Sequence, residues 1–359
     1  MNDFSRMLNS LKKDPSKTYA LATIVRVDGS SYRREGAKML IGKDESYYGT
    51  ISAGCLEEDL IQKAKEVIAL FEPRTVNYDL RSEDDLSWGQ SAGCDGDIEV
   101  YIEPIGWELN LLERSTYLWP YIDQQLNHHL GLLSVKCISE GDNQGEITLY
   151  SLEGDVLAGT LGKEEILAPY IQTFLTQNEK VKLVHIEELQ RDYLFEEYQP
   201  KENLFIFGAG PDAEPLVSLA SQLDFSVVII DPRSARCSET YFPQADHLIP
   251  EHPDSFFNDF QIPINSYVLV MTHNFNRDKK ILQYLLQNPP KYLGVLGPKR
   301  RTERLVDTQT SLSCIHSPIG LSIGAEGPEE IAISVMAELI KIRNVSSFRK
   351  RSELVECQI

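Results

Sequence analysis

No stretch of the chain approaches the roughly 18 consecutive apolar residues that a membrane span needs. The first residues, Met1-Asn2-Asp3-Phe4, carry neither the basic start nor the apolar core of a secretory signal. Positive charge is scarce: 35 Lys and Arg stand against 54 Asp and Glu, a formal net charge of -19. A phosphate-backbone binder needs a basic footprint, so nucleic acid is not the expected partner. Any anionic ligand must be held by a local site rather than by the overall field. Cysteine is sparse as well. Cys55, Cys94, Cys137, Cys237, Cys314 and Cys357 form no C-x-x-C pair, which points away from a zinc-type ligand set and a disulfide framework, and toward reduced thiols in the cytoplasm. What is there is an ordinary globular composition, 42% hydrophobic and 25% charged. Its 359 residues suffice for two domains at about 150 residues each.

The pattern along the chain predicts an α/β protein in two parts, residues 1–199 and 203–345, with 346–359 as a polar, flexible tail. In the first part, Tyr19–Val27, Ala37–Ile41, Tyr47–Ile51, Arg74–Leu80 and Ile98–Ile102 are strand-like, as are Leu132–Ser139, Glu146–Leu152 and Val181–Glu187. Leu56–Phe71 carries a 3.6-period apolar stripe with Glu57, Glu58 and Asp59 in its first turn, and Glu164–Gln177 is also helical. This part is therefore mixed α/β. After the polar break Gln199-Pro200-Lys201-Glu202-Asn203, buried-strand runs alternate with helices, which predicts βαβ units and a parallel sheet of Rossmann type.

Gly208-Ala209-Gly210-Pro211-Asp212-Ala213 lies between a strand and a helix and fits G-x-G-x-x-G/A. The first glycine permits the tight turn, the second lets a phosphate approach the backbone, and the small third residue allows close helix packing. Asp231, about 20 residues on, ends the next strand, where an acid can meet a ribose or other diol. Met271-Thr272-His273-Asn274 and Gly297-Pro298-Lys299-Arg300-Arg301 follow later strands and should open on the same edge of the sheet. Lys299, Arg300 and Arg301 can clamp a phosphate or merely solvate a helix start, and His273 can contact a ligand or cap its own loop. In the first part, Ser52-Ala53-Gly54-Cys55 recurs as Ser91-Ala92-Gly93-Cys94. Two cysteines in matching Gly-Cys turns, one at a helix start that favours a thiolate, are either soft ligands or small residues filling tight corners.

Taken together these motifs resemble the xanthine dehydrogenase accessory factor (XdhC/CoxI) family. The resemblance rests on Gly54-Cys55-Leu56-Glu57 and Gly93-Cys94-Asp95-Gly96 in the first part. In the second it rests on Phe207-Gly208-Ala209-Gly210, Ile230-Asp231-Pro232-Arg233, Met271-Thr272-His273, Leu296-Gly297-Pro298-Lys299-Arg300 and the Pro318-Ile319-Gly320 to Glu330 segment. Asp95, Asn274 and Pro298 depart from the family's pattern. The resemblance implies a maturation factor rather than an independent catalyst. Such a factor binds molybdenum cofactor (molybdopterin) and supports its sulfuration and insertion into a xanthine dehydrogenase-type enzyme of purine catabolism. It further implies contact with that molybdoenzyme and a cysteine desulfurase, and a homodimer. Gly208, Ala209, Gly210, Asp231, Arg233, His273, Lys299, Arg300 and Arg301 are then the expected cofactor contacts, with Cys55 and Cys94 toward the molybdenum or sulfur end. The alternatives are an NAD(P)-binding oxidoreductase and a xanthine dehydrogenase subunit.

Overall fold

The computed structural model describes residues 4–52, 54–80, 96–107, 118–159, 164–177, 179–306 and 314–356, with the backbone alone at 164 and from 345 onward. The chain divides into two compact units, Met1–Pro200 and Lys201–Ile359.

The first unit begins with α1 (Phe4–Lys13), followed by β1 (Tyr19–Gly29), β2 (Lys38–Gly42), β3 (Tyr47–Gly49), α2 (Glu57–Leu70), β4 (Arg74–Asp79) and β5 (Gly96–Ile105). These strands form an antiparallel sheet of order β3-β2-β1-β5-β4. After α3 (Leu118–Asn127), the strands β6 (Leu132–Cys137), β7 (Ile147–Ser151), β8 (Val156–Gly159), β9 (Val181–Ile186) and β10 (Arg191–Tyr198) build a second, order β8-β7-β6-β10-β9, with α4 (Glu164–Thr176) between β8 and β9. Period-2 alternation assigns the faces. Ala20, Ala22 and Ile24 of β1 meet Leu60, Ala64 and Val67 of α2. Leu133, Val135 and Phe195 meet Leu167, Ile171 and Phe174 of α4. The inner faces meet each other in two apolar clusters: Leu21 and Leu40 gather with Leu132, Leu149 and Tyr198, and Val25 and Tyr101 with Leu194.

Charges are also sealed in this unit. Lys38 Nζ lies 2.9 Å from a Glu196 oxygen and donates to Thr23 at 3.0 Å, while Lys136 pairs with Glu103; all four ions are buried. The sequence pattern points to neither α1 nor β10. The apolar residues Phe4, Met7, Leu8 and Leu11 make the first a helix stripe, and Arg191–Tyr198 is masked by the charges that its inward face pairs.

In the second unit, β11 (Glu202–Phe207), α5 (Ala213–Gln222), β12 (Phe225–Ile230), β13 (His247–Ile249), α6 (Pro253–Asp259), β14 (Tyr267–Val270), α7 (Phe275–Leu285), β15 (Tyr292–Val295), α8 (Lys299–Leu305) and α9 (Pro328–Glu356) follow in turn. All strand pairs are parallel, in the order β13-β12-β11-β14-β15. Both faces are covered, which is why the strands are apolar throughout. Leu204, Ile206, Val227 and Ile229 pack against α5 and α9; Phe205, Phe207, Val228 and Ile230 pack against α6, α7 and α8. This is the Rossmann arrangement that the sequence predicts, and the first unit is mixed α/β as expected.

The backbone of α9 runs as helix to Glu356, through most of the stretch expected to be a flexible tail. No glycine or proline follows Pro328 to interrupt it. Among the described residues no helix is long and apolar enough to cross a membrane.

Candidate functional site

The chain runs outward from β11 to β12 and β13 and then crosses back to β14 on the other side of β11, so the carboxyl ends of β11 and β14 flank the switch point of the sheet, where α/β folds receive ligands. The turn after β11 sits there. Gly208 has φ of +125°, and a Cβ on it would run into the Met271 carbonyl, so only glycine fits. The turn is clamped on both sides of Ala209. Its N–H donates to Asp231 Oδ2 at 2.9 Å, and its carbonyl accepts from Arg236 Nε at 3.0 Å. Arg236 is itself fixed by Glu214 and by the Tyr241 ring, 3.8 Å from its guanidinium carbon. Pro211 has no N–H. That leaves the N–H groups of Gly210 and Asp212 with no acceptor among the described residues, at the start of α5, where the helix dipole favours an anion.

Asp231 faces inward. Oδ1 accepts the Arg233 backbone N–H and Nε, both at 2.9 Å, and Oδ2 accepts Arg233 Nη2 at 2.7 Å besides the Ala209 N–H. The residue is only 2% exposed. Burial opposes its charge, but the hydrogen bonds from Arg233 and Ala209 outweigh it and hold the carboxyl below its usual range. An acid read as a diol contact thus braces the Gly208 turn. Arg233 extends from it half-exposed.

Across the switch point, His273 adopts φ of +55°, unusual for a residue with a side chain. Its Nε2 lies 2.8 Å from Asp212 Oδ2, and the imidazole is otherwise open to solvent. Asp212 tucks its other oxygen beside Gly210, where it has no hydrogen-bond partner among the described residues. Asn274 caps α7 by accepting the Arg277 N–H.

The basic loop splits in two. Lys299 and Arg300 are exposed and meet no acid among the described residues. Arg301 donates to the buried Asp278 at 2.6 Å, and Asp278 also takes the Thr272 hydroxyl. Arg301 therefore ties α8 to the loop that carries His273. Beyond β15, His316 pairs in parallel with Gly294, so the segment from Ser317 opens on the same edge. Glu338 of α9 holds it, accepting from the Tyr292 hydroxyl at 2.7 Å and the Gly320 N–H at 2.6 Å, 2.9 Å from His316 Nδ1.

In the first unit, the turn before α2 is wrapped around Glu57. That carboxylate accepts the N–H groups of Ile51, Ser52, Gly54 and Leu56 and the hydroxyls of Thr50 and Ser52, at 2.6–3.2 Å. Burial pushes the carboxyl up, but the Ser52 hydroxyl and the other donors pull it down to about 2. Glu57, read from the sequence as a first-turn acid of the helix and as part of the Gly54-Cys55-Leu56-Glu57 turn, is the internal anion of the loop. Cys55 is half-buried at its rim against the α2 core. Cys94 and the rest of its turn, Ser91–Asp95, lie outside the described residues. Among those described, no three His, Cys, Asp or Glu side chains are grouped to hold a metal ion.

Family models match within each of the two units. The profile of the "XdhC Rossmann domain" matches residues 204–339, and that of the "XdhC and CoxI family" matches 14–79. The chain is 35% identical to a protein of Bacillus subtilis (strain 168) described as a probable xanthine dehydrogenase subunit, over 96% of this chain and 98% of that one. It is 22% identical to the "Molybdenum cofactor insertion chaperone PaoD" of Escherichia coli (strain K12), over 91% of this chain and 84% of the other. A crystal structure described as a xanthine dehydrogenase from Bacillus halodurans superposes with a TM-score of 0.81 at 38% identity, covering 95% of each chain.

Proposed function

Because this chain belongs to the XdhC and CoxI family, we propose that it is an accessory factor for a xanthine dehydrogenase-type molybdoenzyme, with molybdenum cofactor as its cargo. The observation that carries this reading is the turn Gly208-Ala209-Gly210. It is braced before any ligand arrives, keeps two N–H donors for an anion, and has Arg233, paired with Asp231, and His273, paired with Asp212, beside it. A terminal phosphate of the cofactor suits this seat, since preorganised donors at a helix start need no rearrangement on binding. Lys299 and Arg300, which meet no acid among the described residues, supply positive charge to the cargo on the same edge of an otherwise acidic protein. That the relative PaoD is named as an insertion chaperone supports the same role here.

On this reading the cargo is sulfurated with sulfur from a cysteine desulfurase and passed to a molybdoenzyme of purine catabolism, in the cytoplasm and from a homodimer. Cys55 and Cys94 are the soft donors for its molybdenum or sulfur end. An NAD(P)-dependent oxidoreductase fits less well, because both oxygens of Asp231 are already engaged and leave no acceptor for a ribose.

Mass spectrometry and metal analysis of the purified chain test the proposal. Molybdopterin and molybdenum should co-purify, and Gly210→Val should abolish both. Nicotinamide nucleotide instead, or neither ligand, would overturn it. For the thiols, Cys55→Ser/Cys94→Ser should lower activation of the partner enzyme; full activation removes them from the pathway.

A further inference from the structure

In the second sheet of the first unit, Arg191 and Tyr193 lie two positions apart on β10 and so share a face, the one that α4 covers. Tyr193 is fully buried. Among the described residues its hydroxyl has no hydrogen-bond partner beyond the weak one offered by the Cys137 thiol, its neighbour across the strands. Arg191 Nη1 is likewise closed off from solvent and has no partner among the described residues. The guanidinium rests against the β6–β7 hairpin, since a Cβ placed on Gly141 would lie 3.5 Å from Nη2 and 3.9 Å from Nη1.

A buried hydroxyl alone is commonly served by one ordered water. A guanidinium asks for more, because it keeps its charge at every accessible pH and burying an unpaired charge is costly. The interior lysines of this unit are matched, Lys38 with Glu196 and Lys136 with Glu103. Arg191 has no such ion pair among the described residues. Burial pushes the Tyr193 hydroxyl up to about 12, against the pull of the Arg191 charge, so its proton stays in place at neutral pH. Two donors, one of them cationic, therefore stand on one face with no strong acceptor among the described residues.

We infer that this corner binds a small univalent anion of chloride size, which accepts from Arg191 and Tyr193 and pins the hairpin to β10. Its size follows from closure, since both donor atoms are out of reach of solvent and α4 lies over the face. Its charge follows from the acids nearby. Glu146, fixed by Asn143 at 2.7 Å, makes itself felt at Tyr193 and would repel a dianion. Glu140 and Asp142 of the hairpin are exposed, where solvent screens them. The site lies in the first unit and shares no residue with the Gly208 turn.

The test titrates sodium chloride into the full chain and follows the chlorine NMR linewidth. Wild type should show saturable excess broadening, which bromide displaces and phosphate at the same concentration does not. Arg191→Gln should abolish the excess. Tyr193→Phe, which removes one hydroxyl and keeps the ring, should weaken binding about threefold. No saturable broadening in the wild type overturns the inference and leaves the two donors to water. So does excess broadening that Arg191→Gln retains, since the chloride is then held elsewhere. Displacement by phosphate as effective as that by bromide overturns the univalent class. Should Arg191→Gln fail to fold, Tyr193→Phe decides: an unchanged dissociation constant overturns the inference.

Discussion

Two glycine turns in this protein look alike in sequence and differ in what they can hold. Each follows a strand, contains a glycine with positive φ, leads into a helix and is organised by a carboxylate of its own chain. Before α2 the carboxylate is Glu57, which gathers four N–H groups and two hydroxyls, so the turn closes on an anion that the protein brings with it. Before α5 the carboxylate is Asp231, which takes one N–H of the turn and leaves two. A glycine at a helix start is therefore not in itself an anion site. What matters is how many donors remain after the internal carboxylate has been served.

Each arm of this contrast can be broken separately. The largest effect should come from Glu57→Ala, which removes the shared acceptor of four N–H groups and two hydroxyls. Urea unfolding should show a loss of about 3 kcal/mol, with phosphate affinity in the other unit unchanged. The pH dependence has a definite sign. The Glu57 carboxyl lies at about 2, below its ordinary 4.5, so its contribution is complete above the ordinary value and disappears as pH falls toward 2. Wild type should lose stability over that window more steeply than Glu57→Gln; parallel curves would refute the internal-anion account.

Next in size, Gly208→Ala should cost about 2–3 kcal/mol, because it combines an unfavourable φ with a collision at the Met271 carbonyl. A melting temperature equal to that of wild type would show that the turn is looser than described. The two arginines of the basic loop should then part company. Arg301→Gln leaves the buried Asp278 without its cation and should lower stability by about 2 kcal/mol, with little change in phosphate binding. Smallest is Arg300→Gln, which should leave unfolding untouched and weaken binding of a phosphate-bearing ligand about tenfold, or 1.4 kcal/mol. If both arginines affect the same observable, the division between brace and ligand contact is mistaken.

The alternation of strand and helix after Pro200 and the Gly208 fingerprint were legible because both are local patterns whose periods and spacings are set by backbone geometry. The exposed placement of His273, Lys299 and Arg300 on one edge followed from strand order alone. What escaped the sequence was partnership. Asp231 is in the expected place, yet whether it faces a ligand or the Ala209 N–H depends on a contact across 22 positions. Arg236 had no signal of its own, since its acceptor lies 27 positions away. Lys299, Arg300 and Arg301 looked equivalent as a cluster; the buried Asp278, on a different helix, separates the third from the others. Glu57 carried no spacing signal of this role, since Ser52 and Glu57 are five residues apart and the helix N-cap is Leu56.

The two ion pairs shut between the sheets of the first unit bear on how this sequence can change over time. Lys38 faces Glu196 and Lys136 faces Glu103, each pair joining strands far apart in the chain. Losing one member strands a charge in the interior at a cost of about 3–5 kcal/mol, a large part of what holds a domain together. Replacing both members with well-packed apolar residues is close to neutral. Single substitutions at these four positions are therefore dead ends, and descendants of this chain can reach an apolar interior only by paired changes, or by first gaining stability elsewhere.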